Sequence, residues 1–325
     1  MFFSTLHRAL LSPEDLENSP SRQDGVSHDL EEAQRIFGCD IVAETGLYLR
    51  MPNQAVCTAQ VLLQRFYCKR SLTKYDVKDV ALACLWLASK LEECPKRARD
   101  VLMVGRRIIQ RHSDAPLTVL DFYGSEYARG KETLIRTERN ILRVFGFICH
   151  VELPHNYLLS FLQQLQADAA FVQDAWDACN DSHRAPVCIT HAPEAVACAC
   201  ILVAARRKGH ALPARTPWWQ AFGPGRAEVE TAAVQLARLY ARPDPARYEP
   251  LTQAAKDAAA AAAKEAKEAA SPQRGPESAG TPDRRGRSAT PEVEGGSAEG
   301  GVAGEDLRMR AIRAAQEAAS RATHG

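Results

Sequence analysis

The stretch "VALACLWLASKLEECPKRARDV" (residues 80–101) decides the fold. Up to Ala88 it is apolar or small at nearly every position. A helix built from it has no polar face to turn to water, so neighbours must enclose it. Small residues such as Ala81, Ala83, Cys84 and Ala88 let those neighbours approach closely. A second stretch, "VACACILVAAR" (residues 196–206), aligns with residues 80–90 without a gap. The pairs Val80/Val196, Ala81/Ala197, Ala83/Ala199, Cys84/Cys200 and Ala88/Ala204 coincide. Each copy is preceded by two helix-patterned segments and followed by a short and a longer one. This repeat predicts an all-α protein with two consecutive five-helix domains, over 29–150 and 151–245, each wrapped around one central helix.

The flanking sequence agrees. Val56, Ala59, Leu62, Leu63 and Phe66 recur at three- and four-residue spacing, as do Phe171, Ala175, Trp176 and Cys179. Strand-like alternation is scarce. Pro52, Pro95, Pro116, Pro154, Pro186, Pro193 and Pro213 fall between helical segments, where helices tend to end. Residues 1–28 read as a polar, extended, disordered arm. Residues 246–325 read as a low-complexity tail. Within it, residues 254–270 have helix propensity but no apolar face beyond Ala, and 271–304 cannot bury enough to fold. Residues 306–322 read as a frayed terminus, with a short basic helix as the alternative.

At 325 residues there is room for two ordinary domains. Basic and acidic residues number 41 and 40, a net charge of +1, so nothing pulls the whole chain toward nucleic acid or an anionic membrane. Cys57, Cys68, Cys84, Cys198 and Cys200 sit in apolar helical patterns, and "MFFSTLHRALL" lacks a basic n-region. The expectation is a reduced, intracellular protein whose cysteines are small core hydrophobes, with no membrane span. No phosphate-cradling glycine loop, carboxylate pair or nucleophile elbow is visible, so no catalytic residue and no cofactor are expected.

Paired five-helix domains whose first central helix ends in "LASKLEE" (residues 87–93) resemble the cyclin box. The segment "SPSRQDGVSHDLE" (residues 19–31) resembles the entry segment of transcriptional cyclins. The runs at 75–102 and 192–206 are most similar to cyclin L, and the likeness covers about residues 10–242. The resemblance implies a non-catalytic, nuclear regulatory subunit that activates a cyclin-dependent kinase of PITSLRE type or a related transcriptional kinase. Its setting would be RNA polymerase II transcription and pre-mRNA splicing, with splicing or transcription factors as further partners and no small-molecule ligand.

The resemblance further implies that Lys90 and Glu138 hold the kinase's mobile regulatory helix. Lys90 offers up to three donors and Glu138 only accepts, so the two grip backbone groups of both kinds. Leu87, Leu91, Leu142, Phe147 and Cys149 would form the apolar floor beneath that helix. Binding would favour the inward position of the helix and complete the kinase's internal ion pair, a population shift that supplies no catalytic group.

Two departures from the family matter. "GLYLRMP" (residues 46–52) stands near the place of the Met-Arg-Ala-Ile-Leu type docking sequence of cell-cycle cyclins, and the tail offers only Arg287-Ser288 and Ser320-Arg321 in place of a long Arg-Ser region. The competing functional class is a nucleic-acid-binding factor of transcription factor IIB type. It would want a basic groove and an N-terminal zinc ribbon, yet the first forty residues hold only Cys39. A third reading is a kinase-free scaffold.

Several other features have local readings. Glu92 and Glu93 are expected to cap the next helix or meet Lys96, Arg97 and Arg99. Cys179, His183, Cys188 and His191 crowd one window, but their order fits no common zinc spacing and no metal is expected there. Cys198 and Cys200 point to different sides of one helix and cannot form a redox pair. "PWWQAFG" (residues 217–223) reads as an aromatic core plug. Ser12, Ser19, Ser271, Thr281 and Thr290 precede proline and read equally as kinase substrates or as ordinary arm sequence.

Overall fold

The computed structural model describes residues 10–113, 116–213 and 217–241; the expected tail lies outside them. In chain order the helices are α1 (Pro13–Glu17), α2 (Pro20–Gln23), α3 (His28–Tyr48), α4 (Asn53–Tyr67), α5 (Val77–Leu91), α6 (Ala98–His112) and α7 (Ser125–Val144). They continue with α8 (His155–Gln164), α9 (Ala169–Ser182), α10 (Val187–Thr190), α11 (Pro193–Lys208), a 3₁₀ turn (Trp218–Phe222) and α12 (Arg226–Ala241). Among the described residues there is no strand, and no helix is long and apolar enough to cross a membrane.

Helix α5 is the axle of the first bundle. The Asp76 carboxylate starts it by accepting the Lys78 backbone N–H at 2.9 Å, an N-cap that satisfies one otherwise orphaned donor. Val80, Ala81, Ala83, Cys84, Leu85 and Ala88 have no exposed surface, and α3, α4, α6 and α7 all pack on this helix. Gly105 of α6 shows how close the packing is. A Cβ added there would collide with the Leu82 side chain, so glycine lets α6 lie this near without displacing it. Helix α11 repeats the role in the second bundle. Val196, Ala197, Cys198, Ala199, Cys200 and Ile201 are enclosed by α8, α9, α10 and α12.

The repeat is not perfect. The fourth helix of the first bundle has fifteen residues in α6, whereas its counterpart is the five-residue 3₁₀ turn. There Trp218 is buried and Phe222 stacks on Phe161 with ring centroids 3.9 Å apart. Trp218 and Phe222 thus pack this short turn onto the core of the second bundle. All ten cysteines are free thiols, and Cys39, Cys57, Cys84, Cys149, Cys179, Cys198 and Cys200 are buried.

The two bundles meet along a polar joint. Arg184 pairs with Asp40 at 2.9 Å, and Gln64 Nε2 donates to the Arg184 carbonyl at 3.1 Å. Asn53 Nδ2 donates to Asn180 Oδ1 at 2.8 Å. A small apolar cluster of Cys57, Val61, Leu153 and Ile189 seals the centre. His183 is fully enclosed here. Burial, reinforced by His155 beside it, pushes its pKa down to about 3, so the ring is neutral.

Part of the N-terminal arm is folded rather than extended. The Ser12 hydroxyl caps α1 by accepting the Asp15 N–H at 3.1 Å, and the Ser19 hydroxyl caps α2 by accepting the Arg22 N–H at 3.3 Å. A serine N-cap followed by proline at the first helical position is a helix-start device, which accounts for both Ser-Pro pairs. Ser19 has no exposed surface, and its hydroxyl also donates to Glu31 Oε2 at 2.8 Å. Ser271, Thr281 and Thr290 lie outside the described residues.

Glu31 is the knot that fastens this segment. Arg22 reaches Oε2 at 2.9 Å and Arg35 reaches Oε1 at 2.8 Å, with Glu31 2% and Arg35 4% exposed. Removing one partner of a buried pair leaves the other charge uncompensated. Glu31→Ala is therefore expected to lower the unfolding free energy by about 3–5 kcal/mol. Arg22→Ala, at the wetter edge, should cost roughly 1 kcal/mol or less. Urea titrations of the two variants check this ordering; equal losses would refute it.

Candidate functional site

A fully enclosed helix can show functional groups only where it ends. Helix α5 ends in a Schellman turn: the Cys94 N–H reaches back to the Ser89 carbonyl at 2.9 Å and the Glu93 N–H to the Lys90 carbonyl at 3.3 Å. Glu93 takes the left-handed position that normally belongs to glycine, with φ +53°. Helix α7 ends the same way. The Phe147 N–H bonds the Leu142 carbonyl at 2.9 Å and the Gly146 N–H the Arg143 carbonyl at 3.2 Å. Here Gly146 (φ +57°) is followed by Phe147, also left-handed at φ +65°. A bulky residue in that region is a backbone outlier, and such outliers concentrate at functional surfaces.

The two charged residues singled out from the sequence meet between these helices. Lys90 Nζ lies 2.6 Å from Glu138 Oε1 and 3.4 Å from the centroid of the Trp86 ring. The indole is itself fixed, because its N–H donates to the Lys96 carbonyl at 3.0 Å. Lys90 is thus held by a carboxylate and an aromatic face instead of sweeping through solvent. Its side chain remains 41% exposed, while that of Glu138 is only 12% exposed.

The apolar residues divide into two groups. Leu91 and Phe147 are exposed, Phe147 at 71%, and Leu142 is half-buried. Leu87 and Cys149 are buried in the core of the first bundle, at 4% and 5% exposure. They support the surface from beneath and, with so little area exposed, offer almost nothing to a partner. Burial also pushes the Cys149 thiol up. Three surface residues were not picked out from the sequence: Trp86, Ile135 and Ile148. Trp86 lies one turn before Lys90 and Ile135 one turn before Glu138, spacings that put each on its partner's side of the helix. Ile135 and Ile148 are both exposed.

Glu92 has a local role with different partners from those expected. Its carboxylate accepts from Gln54 Nε2 at 2.5 Å and from the Thr58 hydroxyl at 2.7 Å, tying the end of α5 to α4 and not to the basic run. Glu93 forms the turn itself.

Residues 8–149 match the family described as cyclin, N-terminal domain. Cyclin-L1-1 of Arabidopsis thaliana is 44% identical over 243 residues, covering 75% of this chain and 58% of that protein. Cyclin-L2 of Homo sapiens is 38% identical over 241 residues, covering 73% and 46%. The chain thus spans about half the length of the curated relatives it matches. In fold, it is similar to a chain of the yeast RNA Pol II CTD kinase CTDK-1 complex, with TM-score 0.62, 17% identity, and 84% and 86% of the two chains covered. The fold is the double cyclin fold. The chain belongs to the cyclin family, within which it is cyclin L-like.

Two stability measurements test this description of the surface. Leu87→Ala is expected to cost about 2–5 kcal/mol, the range for a leucine cut from a core, whereas Leu91→Ala should stay within about 0.5 kcal/mol. Phe147→Gly should leave the urea midpoint unchanged or raise stability by up to about 1 kcal/mol, because the left-handed region penalises a residue with a Cβ. A marked loss of stability in Phe147→Gly would mean that packing, and not strain, governs this position.

Proposed function

We propose that this chain is the regulatory subunit of a cyclin-dependent kinase, with residues 29–150 and 151–245 as its two cyclin boxes. It acts in the nucleus, on a PITSLRE-type or related transcriptional kinase in RNA polymerase II transcription and pre-mRNA splicing. It supplies no catalytic group of its own. The observation that carries this reading is the Lys90–Glu138 pair, fixed by Trp86 between two helices whose ends carry left-handed residues and the exposed side chains of Leu91, Phe147 and Ile148.

The pair suits a helix end presented by a partner. Lys90 spends one N–H on Glu138 and keeps two for unpaired carbonyls, while Glu138 has acceptor capacity left for a backbone N–H. Closure of Leu91, Ile135, Phe147 and Ile148 against the partner excludes water, and hydrogen bonds in a drier setting are electrostatically stronger. Moving a kinase helix from mostly outward to mostly inward takes a differential of about 5.5 kcal/mol. Burying a large apolar side chain fully is worth about 1.5–3 kcal/mol. A few such side chains, engaged only in the inward state, reach the required order of magnitude. The support from Leu87 and Cys149 is indirect, through the core on which the exposed residues rest.

Affinity capture from nuclear extract tests the proposal, comparing wild type with Lys90→Ala/Glu138→Ala. Wild type should retain a kinase, and the double variant should lose at least about tenfold, as truncated hot spots do. A kinase held equally by both would remove Lys90 and Glu138 from the interface. Retention of DNA or RNA with no kinase would overturn the proposal in favour of the nucleic-acid-binding class.

A further inference from the structure

Helix α4 places Cys57 at the joint between the bundles, facing the start of α8 at His155 and the residue after α9, His183. The sulfur of Cys57, one ring nitrogen of His155 and one of His183 all lie within 4.8 Å of one another. The other bonds of the two rings decide which nitrogens these are. His155 Nε2 is 2.9 Å from Asn180 Oδ1, and His183 Nδ1 is 2.9 Å from the Cys179 carbonyl oxygen. Both oxygens only accept, so those nitrogens carry the hydrogen. The Asn180 amide is oriented independently, because its oxygen also accepts from Asn53 Nδ2 at 2.8 Å.

His155 Nδ1 and His183 Nε2 are therefore bare lone pairs. Both are buried, and neither has a hydrogen-bond partner in the protein. His183 has no exposed surface at all, Cys57 is 2% exposed, and the two rings stack with centroids 5.3 Å apart. Buried acceptors in native proteins nearly always find a partner, and one electron-pair acceptor bound between them would satisfy both nitrogens and the thiol sulfur together.

We propose that Cys57, His155 and His183 bind a zinc ion that clips the first bundle to the second. One sulfur and two imidazole nitrogens form a set suited to zinc, at about 2.3 Å for sulfur and 2.0–2.1 Å for nitrogen. With no oxygen ligand in the set, magnesium and calcium are poor candidates. The outer partners are already in place. In metal sites a ligating histidine donates its second N–H to a carbonyl or carboxylate oxygen, which fixes tautomer and ring angle. Asn180 Oδ1 and the Cys179 carbonyl do this for the two rings. On coordination the Cys57 thiol gives its proton to solvent and binds as thiolate. Three protein ligands leave the fourth tetrahedral position to water. The sequence window 179–191 contains His183, but its spacing fits no common zinc pattern and led to the expectation of no metal. The fold gathers His183 with Cys57 and His155 and leaves Cys179, Cys188 and His191 out of the cluster.

The test uses the full chain, stripped with a chelator and titrated with Zn²⁺, and separately with Co²⁺ as a spectroscopic substitute. Wild type should take up one equivalent of Zn²⁺, melt at a higher temperature with it, and show a thiolate-to-cobalt charge-transfer band that Zn²⁺ displaces. Cys57→Ser should lose the band, while Cys94→Ser should keep it. Asn180→Ala leaves all three ligands but frees the His155 ring, and should weaken Zn²⁺ binding about 10–100-fold. Absence of stoichiometric Zn²⁺ uptake by wild type overturns the proposal whatever the variants do. Uptake and a cobalt band unchanged in a folded Cys57→Ser also overturn it, by locating the metal on other cysteines. If Cys57→Ser does not fold, Asn180→Ala decides: unaltered affinity there refutes the site.

Discussion

Helix α5 has no free face, and most of the first bundle follows from that constraint. An enclosed helix can be approached on every side only if its side chains are small where neighbours come closest. Ala81, Ala83, Cys84 and Ala88 meet that need, and Gly105 meets it from the side of α6. Larger residues on α5, Leu82, Leu85 and Leu87, fill the gaps between the surrounding helices. The same logic recurs in α11 with Ala197, Ala199, Cys200 and Ala204. A helix committed so fully to packing has one place left for function, its exit from the core. Lys90 and Leu91 stand there, on the last turn of α5.

The joint between the bundles obeys a different chemistry from their interiors. The interiors are apolar and satisfied by volume, whereas the joint is made of Asp40–Arg184, Gln64, Asn53–Asn180 and the Cys57–His155–His183 corner. Apolar surfaces slide over one another at modest cost. Directional hydrogen bonds and a half-buried ion pair favour one relative placement, since any other strands polar groups without their partners. The first bundle carries the candidate docking surface, and the second holds it through contacts that specify orientation.

The sequence made the architecture legible because enclosure leaves a compositional signature, and a signature present twice is hard to mistake. Lys90 and Glu138 were legible through family resemblance, and they do meet in space. Leu87 and Cys149 show where such reading stops. Leu87 is three residues from Lys90, and spacing puts both toward one side of the helix. Which part of that side a neighbour covers depends on long-range packing that spacing does not encode. Ser12 and Ser19 present the complementary difficulty. Before proline, a helix cap and a modification site are spelled alike, and only burial against Glu31 separates them for Ser19. The metal corner was illegible for a third reason: its residues come from α4, the start of α8 and the end of α9, so no short window contains them.

The positive φ angles at Glu93 and Phe147 connect stability to the proposed function. A glycine at either place would hold the same turn with less strain, since the left-handed region costs a residue with a Cβ about 1–2 kcal/mol. The two positions occupy the exits of the two helices that carry Lys90 and Glu138. At Glu93 the turn shapes the end of α5 beside Leu91. At Phe147 it projects an aromatic ring outward at 71% exposure, where packing within this chain returns little for the strain. Backbone strain and exposed apolar area are both unfavourable for the isolated chain. Their coincidence at the ends of the two helices that carry Lys90 and Glu138 is understandable if a partner offsets them on docking. The cost would then lie in the unbound state, where it sharpens the difference between bound and free.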